Sequence, residues 1–168
     1  MLFSEAINKA LDECLQDPSV LLCGQLVRHD HSALTNGLHL KYPEQVITYP
    51  VAENLMNSSA MGLSLAGKRP IMLHERFDFA IVGMDALVNH IPIWRRKCGI
   101  KLPLVMMVVV GHGKGQGPQQ NKDFTEWFRE MDGWSVYEPR EPEHAYWQLK
   151  HAVFGDSPVM YVIHRELY

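Results

Sequence analysis

The chain has 168 residues, 46% hydrophobic and 21% charged, with a formal net charge of −3. That is enough for one domain with a real core, and it offers no basic field to nucleic acid or to an anionic membrane surface. Three cysteines, Cys14, Cys23 and Cys98, form no close pair, which suggests neither a disulfide framework nor a zinc site and makes a reducing cytoplasm the expected setting.

The first residues, MLFSEAINKALDE, lack a basic-then-apolar leader pattern. Ser4 is expected to cap a helix whose stripe is Ile7, Leu11 and Leu15 and which Asp17-Pro18 ends. Residues 20–23 read as a buried strand, and 28–42, polar and containing Asn36-Gly37, as a loop with one helical turn. A second strand is expected over 46–49, stopped by Pro50, then a helix over 53–66 with Gly67 as its C-cap. Residues 70–73 form a third strand, and 77–94 read as one helix with Pro92 as a break. The run 104–110 is apolar throughout and reads as a strand buried on both faces; the longer apolar run 102–110 that contains it is interrupted by Pro103 and too short to span a bilayer. A loop over 111–120, a helix over 123–131, a strand over 134–137, a helix over 141–154 and a last strand over 159–163 complete the chain. The alternation predicts a single α/β domain over residues 1–168, with helices on both faces of a mostly parallel central sheet in three layers.

Three constellations could carry chemistry. Glu53 follows a strand and opens a helix, where open α/β sheets bind ligands; an acid there also serves simply to complement the helix dipole. His74-Glu75-Arg76-Phe77-Asp78-Phe79 places two aromatics after the third strand; they either stack on a flat heterocycle or belong to the core. The stretch GHGKGQGPQQ at 111–120 could cradle a phosphate with backbone N–H groups, but it has neither a P-loop ending nor the dinucleotide fingerprint.

Taken together, the order of these features resembles the amino-terminal domain of the β subunit of 2-oxoacid dehydrogenase decarboxylases, and more distantly the middle domain of transketolase and deoxyxylulose-phosphate synthase. The resemblance is carried by Tyr49-Pro50-Val51-Ala52-Glu53, by Ala66-Gly67-Lys68-Arg69-Pro70, by Phe77-Asp78-Phe79 with Asp85 and Asn89, by Glu126-Trp127-Phe128, and by the ending Ile163-His164-Arg165-Glu166-Leu167-Tyr168. It implies a pyrimidine-binding domain that uses thiamine diphosphate. Glu53 would hydrogen-bond a ring nitrogen of the aminopyrimidine and favour the imino tautomer, whose nitrogen deprotonates the thiazolium carbon. Phe79, or less well Phe77, would stack on the pyrimidine. Substrate-side candidates are His74, His112, Gln120, His29 and His31.

Departures from the family qualify the activity. Where the family carries a loop histidine this chain has Gln120, which hydrogen-bonds but does not transfer protons. Gly24-Gln25 stands where the family has Gly-Glu. No Gly-Asp-Gly occurs, so Mg2+ and the diphosphate are expected on a separate pyrophosphate-binding, α-like partner subunit, in a heterotetramer with two copies of each. No carboxyl-terminal transketolase domain is expected, which argues against a large multienzyme complex. The expected activity is transketolase-like transfer or 2-oxoacid decarboxylation and carboligation on a small carbonyl substrate. Alternatives are a dehydrogenase-type decarboxylase β subunit, a non-catalytic regulatory partner of such an enzyme, and an unrelated nucleotide-binding domain.

Overall fold

The computed structural model describes residues 1–29, 33–111 and 117–168. Six strands form one sheet: β1 (Val20–Gly24), β2 (Val46–Thr48), β3 (Arg69–His74), β4 (Val105–Val110), β5 (Ser135–Tyr137) and β6 (Val159–His164), in the order β2-β1-β3-β4-β6-β5. Every pairing is parallel. β1, β4 and β6 are buried along their whole length, whereas β2 and β5 lie at the edges and are partly exposed. Central strands covered on both faces need unbroken apolar runs, and the sequence supplies them.

Successive residues of each strand point to opposite faces and meet different helices. On one face Leu22, Ile71, Val105 and Tyr161 pack with α1 (Phe3–Cys14) and α7 (Pro142–Phe154). The buried Tyr161 hydroxyl is satisfied by donating to the Ala145 carbonyl, 2.7 Å away. On the other face Met72, Met106, Val108 and Met160 pack with α3 (Glu53–Leu65), α4 (Phe77–Ala80), α5 (Ile91–Cys98) and α6 (Thr125–Arg129). The short α2 (Leu38–Lys41) is the single turn expected between β1 and β2.

Two local expectations are corrected. Ser4 lies inside α1 and is buried, and the cap is made instead by Glu5, whose carboxylate accepts the Leu2 N–H at 2.8 Å. The helix expected over 77–94 is four pieces: α4, a 3-10 turn Ile81–Gly83, a π-helical stretch Ala86–His90, and α5. Pro92, in the first turn of α5, cannot donate to the carbonyl one turn earlier and its ring crowds that carbonyl, so the turn before it widens. Gly67 does end α3 in the left-handed region, with φ 84°.

Candidate functional site

The connection after β1 leads to the α1/α7 face, where Leu34 and Leu38 pack, while the connection after β3 leads to the opposite face through Phe77 and Ala80. Adjacent parallel strands whose connections diverge leave a crevice at their carboxyl ends. The register brings Gly24 level with Thr48 and Leu73, so Gln25, Glu53 and the segment after His74 converge there.

Glu53 opens α3 and is half-buried. Its Oε1 accepts a hydrogen bond from Gln25 Nε2 at 2.9 Å, and the same amide lies 3.6 Å from Met56 Sδ. Oε2 takes no hydrogen bond from the described residues. One oxygen is thus held and the other is not engaged by the described residues.

Behind Glu53 lies a buried polar latch. Asn57 Nδ2 donates to the carbonyls of Ala80 (2.9 Å) and Gly83 (3.2 Å). Because carbonyls only accept, the amide orientation is fixed, and Asn57 Oδ1 must accept the Nε2–H of His74 at 2.8 Å. His74 Nδ1 is then a bare acceptor, buried without a partner among the described residues. Burial pushes the imidazole down to about 4 from the ordinary 6.5, against the opposing pull of the nearby Glu53 charge. Between those two values the unfolded chain takes up a proton at His74 that the folded chain refuses. Stability therefore falls as pH drops through that window, by roughly 3 kcal/mol in all, and is unaffected by this group above it. Urea unfolding at successively lower pH should show this slope, and His74→Gln should remove it; the same slope in both proteins would contradict the assignment.

Gly83 seats the 3-10 turn against the start of α3. A Cβ there would lie 2.4 Å from Asn57 Nδ2, 2.9 Å from the Glu53 carbonyl oxygen and 3.1 Å from Asn54 Cα. Two of these neighbours are backbone. Gly83→Ala should cost about 1–3 kcal/mol by overpacking and shift Glu53, which thermal unfolding and cofactor titration would report together.

Beside Glu53, and separate from it, is an open cleft of about 500 Å³ lined by Leu26, Glu75, Arg76, Phe79, Gln120 and Arg165. Phe79 is half-buried and presents a ring surface to it. Phe77 does not: it is wholly buried, with its ring 5.6 Å from Phe124 and 5.5 Å from Phe128, so it is corrected from a cofactor contact to a core residue. His74 is corrected likewise, since it points into the α3 face and is 2% exposed. Gln120 borders the cleft. His29 is exposed on the β1–α2 connection, and His31 and His112 lie outside the described residues. Sequence reading passed over Glu75, Arg76 and Arg165 as cleft residues, and Asn57 altogether.

The family model for the transketolase pyrimidine-binding domain matches residues 1–168. The chain belongs to this family. Its relatives include the pyruvate dehydrogenase E1 component subunit beta of Chaetosphaeridium globosum, 30% identical over 174 residues that cover 100% of this chain and 53% of that protein. The β-2 subunit of the same component in Oryza sativa subsp. japonica is 31% identical, over 100% of this chain and 46% of that one. The β subunit of acetoin:2,6-dichlorophenolindophenol oxidoreductase from Cupriavidus necator is 29% identical, over 97% and 53%. This pyrimidine-binding chain thus spans about half the length of these relatives. Its fold is similar to that of a split-gene transketolase solved as an inactive β4 tetramer, with TM-score 0.71 and 22% identity over 98% of this chain and 51% of that one. Membership of a thiamine diphosphate family fits the arrangement described: a carboxyl group at the start of α3 beyond the strand ends and a nearby cleft with an aromatic residue in its lining. Among the described residues no group of three or more His, Cys, Asp and Glu could hold a metal ion, and no helix is long and apolar enough to cross a membrane.

Proposed function

We propose that this chain is the pyrimidine-binding subunit of a split thiamine diphosphate enzyme that makes or breaks a carbon–carbon bond next to a carbonyl. It acts with a partner chain that holds the diphosphate and Mg2+, as two copies of each in the cytoplasm. The observation that carries this reading is Glu53: it opens α3 beyond the carboxyl end of β2, and Gln25, one residue past β1, pins its Oε1 at 2.9 Å.

When bound, the cofactor supplies carbanion stabilisation that no side chain provides. The chain supplies the rest. Glu53 presents a carboxyl proton to a pyrimidine nitrogen through Oε2 and holds that oxygen in position through the Gln25 contact. Phe79 offers a face for stacking. Leu26 and Phe79 exclude water from the substrate side, and Gln120 orients the substrate by hydrogen bonding.

Transfer or lyase chemistry is favoured by Gln120 in place of a proton-transferring loop residue. The 2-oxoacid dehydrogenase alternative is supported by the pyruvate dehydrogenase relatives. The test is calorimetric titration of thiamine diphosphate with Mg2+ into this chain alone, and into its mixture with a partner carrying Gly-Asp-Gly. Binding only in the mixture, with light scattering showing two copies of each chain, is expected. Tight binding to the lone chain, or no co-assembly, would overturn the reading. Binding of ATP or NAD to the lone chain would favour a nucleotide-binding domain instead.

A further inference from the structure

Transfer at a carbonyl needs a proton source beside the carbonyl oxygen, distinct from the group that activates the cofactor. His74 does not reach the cleft, and Gln120 does not transfer protons. Arg76 and Arg165 stay charged throughout the working range. Burial pushes Tyr168 up to about 12, with the Glu75 charge adding to the rise. Among the described residues lining the cleft, Glu75 remains as the one carboxyl group that could exchange a proton with a substrate.

We propose that Glu75 is the substrate-side acid and base of this site. It sits one residue past the end of β3, half-buried, lining the same cleft as Phe79 and Gln120. Strand alternation explains the placement: Met72 and His74 turn toward the α3 face, and Glu75 turns the other way. Its carboxyl oxygens take no hydrogen bond from the described residues, so the group is not spent on structure. The charged and titratable groups facing it are the guanidinium groups of Arg76, on its own segment, and Arg165, together with the neutral Tyr168 hydroxyl at the end of the chain. Burial raises its proton affinity above the ordinary glutamate range, and the Arg165 charge opposes that rise.

The step balances simply. As the new bond forms at the substrate carbonyl carbon, the carbonyl π pair moves onto oxygen and that oxygen takes the proton from the Glu75 carboxyl, leaving a carboxylate. When the carbon–carbon bond breaks, the carboxylate takes the hydroxyl proton back as the carbonyl re-forms. This role rests on the proposed function, because it presumes a carbonyl substrate in the cleft.

Two measurements test it. In the isolated chain, carbon-13 NMR of labelled glutamate carboxyls, with Glu75→Gln to assign the signal, should show Glu75 titrating above the other glutamates. Titration in the ordinary range overturns the proposal. In the complex with the pyrophosphate-domain partner, assayed with pyruvate as donor and glycolaldehyde as acceptor, Glu75→Gln should lower kcat roughly 100-fold with KM little changed. It should also remove one ionisation from the kcat–pH profile, and Glu75→Asp should restore part of both. An unchanged profile, or an equal loss in the Gln and Asp variants, overturns the role. Glu53→Gln run alongside separates the two failures: if it too leaves turnover intact, the proposed function itself fails; if it alone abolishes turnover, only the role of Glu75 does.

Discussion

Glu53→Gln should lower turnover of the assembled enzyme by roughly 100- to 10,000-fold while leaving both assembly and fold in place. The replacement is isosteric, and its carbonyl oxygen still accepts from Gln25 Nε2, so the contact that fixes the side chain at 2.9 Å survives. What disappears is a transferable proton: an amide donates a hydrogen bond without releasing its hydrogen. Loss of the acid from the first turn of α3 costs only a few tenths to about 1 kcal/mol of helix-dipole energy, far less than the catalytic effect. Size-exclusion chromatography of the mixture and steady-state rates, measured side by side, check both halves. Turnover within a few-fold of the native enzyme would show that Glu53 is a helix-start acid and nothing more.

Asn57→Leu should be the most damaging single change to the fold around the site. The side chain is wholly buried and makes three hydrogen bonds, to the Ala80 and Gly83 carbonyls and from His74. Leucine fills similar space but leaves two carbonyls and an imidazole N–H buried without partners, each costing about 1–3 kcal/mol. Even without full additivity, a loss of about 3 kcal/mol or more is expected, against a total domain stability of about 5–15 kcal/mol. The same latch ties the start of α3 to the turn after α4, so cofactor affinity of the complex should fall along with the urea midpoint. A midpoint unchanged within error would mean that the surrounding backbone groups find other partners and that the latch does not position Glu53.

The sheet was legible because its central strands are apolar without alternation, a pattern only doubly covered strands require. That Glu53 opens a helix after a strand was legible from Pro50 and the small-residue pattern behind it, whereas the parts proposed for Glu53 and Phe79 rest on the family resemblance. The misreadings share a cause: residue type was read without direction. His74 and Phe77 have suitable chemistry, yet the period of two in β3 sends His74 to the α3 face, and Phe77 completes a cluster with Phe124 and Phe128 that lie far along the chain. Asn57 carried a signal, a polar residue one helical turn after Glu53 on the buried stripe of α3, but its partners come from a segment whose helix breaks at positions that Gly83 and Pro92 decide jointly. Gln25 read as a missing carboxylate; that it grips Glu53 across 28 positions of sequence follows only from the strand order.

The most direct measurement is the rate at which the thiazolium C2 proton of thiamine diphosphate exchanges with deuterium in the assembled complex, followed by quenched-flow NMR. The account predicts exchange far faster than for free cofactor with native subunits, falling back toward the free rate with Glu53→Gln. Equal exchange rates for the native and substituted complexes, or full acceleration by the partner without this chain, would contradict it.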